Sequence, residues 1–390
     1  MHDFDEELDR VPHDCVKWSY LDACRAPGSV FPEGVLPLWV ADMDLASPPA
    51  VVEAIRERAA HPVYGYAGLP DAYHDAFIGW MRTRHGTAVE RDWIRFSPGI
   101  VPAIGTAIRA YTEPGDGVVI MPPVYHPFRQ LAERNGRRVL EAPLAFRDGR
   151  WEMDLEAVDR ACADARLLVF CSPHNPVGRV WTRPELDALA EIVLRRGLVL
   201  VSDEIHADLV YAPHRHVPAL GLSPGLDRVT VSCWAPSKTF NIAGLQTSYI
   251  VIPDPELRAR FTGQNEAAGL GTPNCMGVAA AVAAYREGGP WLDEALDYLR
   301  GNHDYLVEEL GRRVPALRVH PCEGTFLAWI DFRGAGLSGD VKDALLDRAG
   351  LWLDPGTRFG AGGEGFARLN FGCTRATLSK AVDRLARAFG

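Results

Sequence analysis

Four apolar runs of five or six residues recur in the middle of the chain, and residues with polar side chains follow each of them. Between the runs, apolar residues recur at the spacing of helices, for example over residues 183–196. Continuous apolar strands that alternate with helices are typical of a largely parallel, doubly wound sheet buried on both faces. We therefore predict an α/β fold whose strands include residues 117–121, 166–171, 198–202 and 229–233.

Each of these strands leads to a residue that can take part in chemistry. Tyr125 follows the first strand, Asn175 the second, Asp203 the third and Lys238 the fourth. Ligands of doubly wound sheets bind outside the carboxyl ends of the strands. We therefore expect these four side chains to converge on one site.

Lys238 lies in a turn between two predicted buried strands, residues 229–233 and 247–252. A partly desolvated amine has a lowered pKa and can form a Schiff base with an aldehyde cofactor or a carbonyl substrate. From this stretch alone, a surface lysine at the tip of a hairpin is an equal alternative.

A second candidate feature precedes these strands. A short strand at residues 94–97 is followed by Pro98, Gly99 and a predicted helix that begins at Ile100 and Val101. The N-terminus of a helix presents free backbone N–H groups, which suits a phosphate. This stretch is therefore a candidate phosphate site.

The rest of the chain suggests two domains and an arm. Residues 1–45 form an aromatic and proline-rich arm, predicted to join the smaller domain, and residues 46–285 form the large domain. We expect a linker at residues 287–290. A smaller α+β domain, residues 286–390, follows with a helix at 291–313, strands at 317–320 and 325–331, and a final helix at 377–389.

A glycine-rich loop at residues 360–365 matches the spacing G-x-G-x-x-G. In a dinucleotide-binding fold such a loop opens a helix. Here it precedes a predicted strand at residues 366–371, so we do not expect a dinucleotide site.

Composition narrows the class of partner. The chain has 390 residues, 47% hydrophobic and 24% charged, and a formal net charge of -10, which argues against a nucleic-acid or anionic membrane surface. No apolar stretch approaches the length of a membrane span, and the acidic N-terminus lacks a signal-peptide core, so we expect a cytoplasmic protein. The eight cysteines are scattered, which favours reduced thiols, and no metal-binding motif is present.

Pyridoxal phosphate needs the residue types found at the strand ends. It requires a lysine for its aldehyde, a carboxylate against its pyridine nitrogen, an aromatic ring to stack on and a donor to its phenolic oxygen. Asp203 would keep the pyridine nitrogen protonated. The alternatives are that Asp203 caps a helix, that Tyr125 only packs, and that Asn175 serves a turn.

Several motifs together resemble a known family. CSPHNPVG, SDEIHADLVY and APSKTFNIAGLQTSYIVIP, with LPLWVADMD and VYGYAGLP upstream, are similar to motifs of the fold-type I pyridoxal-phosphate enzymes in the class I/II aminotransferase superfamily. Within it, the chain most resembles the MalY/PatB group of cystathionine β-lyases, or C–S lyases. The resemblance covers essentially the whole chain.

This resemblance implies roles for individual residues. Lys238 would bind the cofactor aldehyde and Asp203 the pyridine nitrogen, while Arg368 would bind the substrate α-carboxylate as a fork. The resemblance further implies that Tyr125 stacks on the cofactor ring, and that Asn175 and His206 lie near its phenolic oxygen. Tyr64 would reach the phosphate from the neighbouring subunit, while Asn175 and Trp39 would contact the substrate. The expected phosphate ligands of the same chain are Gly99, Ile100, Val101 and Ser237.

Two departures from aminotransferases favour a lyase. Many aminotransferases have an arginine eight residues after the lysine and a tyrosine three residues after the aspartate, where this chain has Gln246 and His206. The resemblance thus implies a homodimeric lyase that cleaves L-cystathionine or another L-cysteine S-conjugate to a thiol, pyruvate and ammonia. The alternatives are an aminotransferase and a cofactor-bound regulatory protein that acts through a partner. A surface arginine on an edge strand is the alternative for Arg368.

Overall fold

A seven-stranded sheet forms the centre of the computed structural model, which describes residues 2–19, 34–337 and 339–390. Residues 20–33 of the predicted arm, which include Cys24, lie outside the described residues. The described strands are β1 (Leu36–Pro37), β2 (Ile94–Ser97), β3 (Gly117–Ile120), β4 (Arg138–Glu141), β5 (Ala145–Arg147), β6 (Arg150–Glu152), β7 (Leu167–Cys171), β8 (Val199–Asp203), β9 (Thr230–Trp234), β10 (Ser248–Val251), β11 (Arg318–Val319), β12 (Leu327–Asp331), β13 (Leu351–Trp352), β14 (Asp354–Pro355) and β15 (Phe366–Asn370).

Helices cover both faces of this sheet and continue into the C-terminal part of the chain. The described α-helices are α1 (Val16–Ser19), α2 (Pro49–Ala60), α3 (Asp71–Arg84), α4 (Ile100–Tyr111), α5 (Pro127–Arg134), α6 (Leu155–Cys162), α7 (Arg183–Arg196), α8 (Pro224–Asp227), α9 (Pro236–Thr239), α10 (Pro255–Ala267), α11 (Cys275–Glu287), α12 (Gly289–Arg313), α13 (Val341–Ala344) and α14 (Arg375–Phe389). None of these helices is both long and apolar enough to cross a membrane.

The large sheet has the strand order β2-β10-β9-β8-β7-β3-β4. Neighbours from β9 to β4 pair in parallel, whereas β10 runs antiparallel to both β9 and β2. The predicted α/β fold with a largely parallel sheet is therefore confirmed. Since the parallel strands point the same way, the segments that follow them meet at one edge of the sheet.

Alternating side chains of the central strands serve two apolar layers. In β7, Val169 belongs to the cluster that contains Ile104 of α4, while Phe170 belongs to the cluster that contains Val193 of α7. Successive strand residues point to opposite faces, so a strand covered on both sides must be apolar throughout. All five residues of β7 are buried, which explains the continuous apolar run.

Helix α7 shows how local sequence sets the ends of an element. Thr182 and Glu185 form a reciprocal capping box at its start, and Gly197 adopts a left-handed conformation at its end. These signals stop the helix on both sides. The predicted bounds, residues 183–196, agree with the structure.

The C-terminal part contains a second sheet with the order β11-β12-β15-β14, and β1 of the arm pairs in parallel with β13. The expected linker at residues 287–290 is wrong. Helix α11 ends at Glu287 and α12 begins at Gly289, so the two helices are joined by Gly288 alone. A Cβ atom at Gly288 would lie 2.5 Å from the carbonyl oxygen of Ala284, which explains the glycine. The domain boundaries stay a prediction.

Candidate active site

The carboxyl edge of the large sheet borders a cavity of about 220 Å³. Tyr125, Asn175, Asp203 and Lys238 all line it, so the structure brings the four strand-end residues together. The complete lining is Ala41, Gly99, Ile100, Val101, Pro102, Tyr125, Cys171, Asn175, Asp203, Ile205, His206, Ser237, Lys238 and Ala243.

Lys238 lies on the short helix α9, directly after β9. Its Nζ donates a hydrogen bond to the backbone carbonyl of Ala41 at 2.5 Å. Burial lowers the pKa of Lys238 to about 8, although the charges of Asp42 and Asp203 oppose this effect. The lysine is therefore not on a hairpin surface, and a larger fraction of its amine is neutral at physiological pH than for an ordinary lysine.

Asp203 is the last residue of β8, and its neighbours across the sheet are Cys171 and Cys233. Its Oδ1 accepts a hydrogen bond from the N–H of Ile205 at 3.2 Å. Burial raises the pKa of Asp203 to about 7, because one backbone bond and the more distant Lys238 do not compensate for lost hydration. A carboxylate in this state is stabilised by a cationic ligand, such as a protonated ring nitrogen.

The N-terminus of α4 forms the candidate phosphate site. Gly99 caps this helix with φ of 149°, a conformation that favours glycine, and its carbonyl accepts a hydrogen bond from the Ser97 hydroxyl at 3.0 Å. Ile100 and Val101 begin the helix, where backbone N–H groups have no partner within the helix. Ser237 adds a hydroxyl to the same cavity. This combination suits an anion.

Arg368 is buried on β15, an inner strand of the smaller sheet, so the alternative of a surface arginine on an edge strand is wrong. Its guanidinium donates to Asn175 Oδ1 at 3.0 Å, to the Trp39 carbonyl at 2.8 Å and to Asp354 Oδ2 at 2.9 Å. Its Nε is buried and has no partner among the described residues. This unused donor fits a further acceptor, such as a substrate carboxylate.

Asp354 was not identified from the sequence. It pairs with Arg368 across β14 and β15 and also accepts a hydrogen bond from Arg358 at 2.7 Å. A lone carboxylate in a short strand carries no recognisable motif. The register between the two strands, which the sequence does not reveal, creates the pair.

Three other predicted residues border the cavity in different states. Tyr125 is half-buried, and burial raises the pKa of its hydroxyl. Asn175 is buried and turns its amide oxygen towards Arg368. Burial lowers the pKa of His206 to about 3, helped by the charges of Lys238 and Arg368, so its imidazole is neutral. Its Nδ1 is buried and has no hydrogen-bond partner among the described residues.

Three predicted residues do not line the cavity of their own chain: Trp39, Tyr64 and Arg368. Arg368 reaches it through Asn175. The Trp39 ring packs with Leu346, and only the Trp39 carbonyl reaches Arg368. Tyr64 is 59% exposed, and its hydroxyl donates to the carbonyl of Ala59 at 2.7 Å. A role for Tyr64 at a phosphate therefore requires a second chain.

The chain is similar over its whole length to known pyridoxal-phosphate proteins. The model of the family described as aminotransferase class I and II matches residues 33–385. Cystathionine beta-lyase PatB of Bacillus subtilis is 43% identical over 99% of both chains, and Protein MalY of Escherichia coli is 32% identical over 100% of this chain and 99% of its own. The crystal structure of cystalysin from Treponema denticola, which contains pyridoxal 5'-phosphate, has a TM-score of 0.94 and 35% identity over 100% of this chain and 98% of its own.

Proposed function

The chain belongs to the aminotransferase class I and II family, and we propose that it cleaves L-cystathionine or another L-cysteine S-conjugate to a thiol, pyruvate and ammonia. It is a pyridoxal-phosphate-dependent carbon–sulfur β-lyase. The observation that carries the proposal is the Lys238 amine, with a pKa lowered to about 8, in one cavity with the Asp203 carboxylate. The full-length similarity to a cystathionine β-lyase supports the choice of reaction.

The residues around the cavity fit the cofactor. The unpartnered Nδ1 of His206, the weakly compensated Asp203 carboxyl and the open start of α4 each offer what one part of pyridoxal phosphate needs. We assign the aldehyde to Lys238, the ring nitrogen to Asp203, the ring face to Tyr125, the phenolic oxygen to Asn175 and His206, and the phosphate to Gly99, Ile100, Val101 and Ser237. When bound, the cofactor supplies a conjugated ring that withdraws electrons from the substrate α-carbon.

In this proposal, the protein's own side chains bind the substrate and move the proton. Arg368 binds the α-carboxylate and so orients the α-hydrogen. The neutral Lys238 amine takes this proton, and Asp203 keeps its negative charge against the ring nitrogen. The C–S bond then breaks, the sulfur leaves with the bonding electron pair and is protonated to a thiol, and water releases pyruvate and ammonia.

We also propose that two chains form the functional unit. Tyr64 and the fully exposed Tyr66 lie in a stretch without regular structure, where a partner chain would cover them. In such a homodimer, Tyr64 would contact the phosphate of the neighbouring site. We also propose a cytoplasmic location for the enzyme. The seven cysteines in the described part of the chain are free thiols, which is consistent with a reducing compartment.

A panel of S-conjugates without any added keto acid tests the proposed reaction. The panel would include L-cystathionine and S-methyl-L-cysteine, and thiol release would be measured with a colorimetric thiol reagent. We expect repeated turnover with at least one conjugate. Amino-group transfer that requires an added keto acid would identify an aminotransferase. Negligible turnover with every conjugate, both without and with a keto acid, would contradict an enzymatic role of either kind.

A further inference from the structure

Residues 39–45, which we call the strap, form no helix or strand, yet six of their backbone carbonyls accept hydrogen bonds from distant side chains. Carbonyls outside regular structure need such partners when they are buried. The acceptor and donor pairs are Trp39 with Arg368, Val40 with Asn370, Ala41 with Lys238, Asp42 with Asn370 and Lys17, Met43 with Arg10 and Asn241, and Leu45 with Asn241. Two of these donors, Lys238 and Arg368, are the proposed cofactor lysine and substrate arginine.

Lys238 makes its contact with the Ala41 carbonyl as a free amine. A free amine is also the form that attacks an aldehyde or takes a proton. The adjacent Asp42 carboxylate raises the pKa of Lys238, against the larger effect of burial. The other charged or titratable groups that act on the amine are Asp203, Arg368 and His206.

Side chains of the N-terminal arm donate hydrogen bonds to the two carboxylates of the strap, Asp42 and Asp44. Arg10 donates to both carboxylate oxygens of Asp42, at 3.2 and 2.8 Å, and to Asp44 Oδ1 at 2.5 Å. Lys17 has no exposed surface, and its Nζ donates to Asp44 Oδ2 at 2.6 Å. Trp18 Nε1 adds a bond to Asp44 at 2.9 Å. Two cations thus balance two carboxylates.

The Lys17–Asp44 pair is buried, whereas the Arg10 and Asp42 side chains are 22% and 21% exposed, and such ion pairs add little stability compared with apolar packing of the same volume. The ion pairs do constrain the geometry of the strap, because the bidentate bond between Arg10 and Asp42 fixes the residue next to Ala41. Arg10 also neutralises part of the Asp42 charge that acts on Lys238. The ion pairs therefore connect the arm to the amine through one residue.

We infer that Arg10 and Lys17 are positioning residues for Lys238, and that they set where the Ala41 carbonyl and the Asp42 carboxylate stand relative to the free amine. Neither residue touches the cavity, and both act through the strap. The inference rests on the proposed function only in taking Lys238 as the cofactor lysine. It assigns the arm a role in how readily this lysine binds the cofactor.

The pH dependence of cofactor binding to the full-length, cofactor-free protein tests this inference without any substrate. The rate would be followed by the visible absorbance of the bound cofactor. Because only the neutral amine reacts, a shift of the midpoint between a variant and the wild type reports a change in the pKa of Lys238. Asp42→Asn removes the neighbouring negative charge and should lower the midpoint. Arg10→Gln leaves the Asp42 charge less neutralised and should raise the midpoint. We expect each shift to be on the order of one pH unit, which changes the fraction of neutral amine below the midpoint about tenfold.

Matched variants separate this effect from a general loss of structure. Arg10→Lys keeps the charge but loses the bidentate bond to Asp42, so its midpoint should lie between those of the wild type and Arg10→Gln. Lys380→Gln breaks another ion pair of the arm, with Glu7 at 3.0 Å, and should not change the midpoint. Thermal melting would verify that each variant folds. If Arg10→Gln does not fold, a raised midpoint in Arg10→Lys together with a lowered midpoint in Asp42→Asn still decides the question. Unchanged midpoints, or shifts of Asp42→Asn and Arg10→Gln in the same direction, would overturn the inference.

Discussion

Replacing Asp203 with asparagine should have opposite effects on the empty and the loaded protein. In the empty site, burial raises the pKa of this carboxyl to about 7, so its ionised form is unfavourable in the folded state. Asparagine removes that charge and should stabilise the empty fold. With the cofactor bound, the same change removes the proposed partner of the ring nitrogen, so we expect weaker cofactor binding and a loss of several kcal/mol of transition-state stabilisation.

The size of the first effect follows from the pKa. A rise from the unfolded value near 4 to about 7 corresponds to roughly 4 kcal/mol once the carboxyl is ionised in both states. Because the folded pKa is the higher one, wild-type stability is lost as the pH rises through the window between the two values. The stability advantage of Asp203→Asn should therefore grow by about 3 kcal/mol from about pH 5 to about pH 8.

Urea unfolding of the cofactor-free wild type and variant across this pH range measures the difference. Asp208→Asn is the matched control, because Asp208 is also buried but accepts hydrogen bonds from Trp80, His85 and Thr239 at 2.8 to 2.9 Å. Burial raises the pKa of Asp208, but these bonds lower it below its usual value, so asparagine should destabilise the fold there. A pH-independent difference for Asp203→Asn, or near-native turnover of the loaded variant, would refute the reasoning.

Three further substitutions test the other parts of the site. Lys238→Ala should abolish both the visible absorption of the lysine-bound cofactor and the activity, and an intact borohydride-reducible adduct in this variant would contradict the assignment. Arg368→Lys loses the fork that now contacts Asn175 and Asp354, so kcat/KM should fall by roughly 30-fold, mainly through KM, with an unchanged absorption spectrum. Mixing inactive Tyr64→Ala and Lys238→Ala chains should restore activity if Tyr64 serves the neighbouring site, because each mixed dimer then has one complete site; no recovery despite mixed dimers in sedimentation would exclude that role.

The sequence alone was sufficient to predict the part of the site that depends on strand order. Apolar runs marked the central strands, and parallel pairing then required Asp203 and the residues after the other strands to lie at one edge. Gly99 was identifiable for a similar reason, since a glycine between a strand and a helix marks a turn with few solutions. These features depend on local pattern and on general rules of sheet topology.

Features that depend on register or on the backbone were not predictable. Ala41 contributes a carbonyl, which every residue type possesses, and Asp354 meets Arg368 only because of the pairing between β14 and β15. The glycine-rich segment around Gly288 has the composition of a linker, but packing against Ala284 makes it a tight helix junction. The proposed contact of Tyr64 with a second chain depends on the fit between two surfaces, which a single sequence does not reveal.

The ratio of products formed from L-cystathionine without a keto acid tests the central claim most directly. A β-lyase releases one thiol and one pyruvate from each substrate and needs no second acceptor to begin the next cycle. We therefore expect equal amounts of thiol and pyruvate, far in excess of the enzyme, with the cofactor absorbance unchanged at the end. Conversion of the cofactor to its pyridoxamine form after one turnover, with activity restored only by a keto acid, would contradict the account.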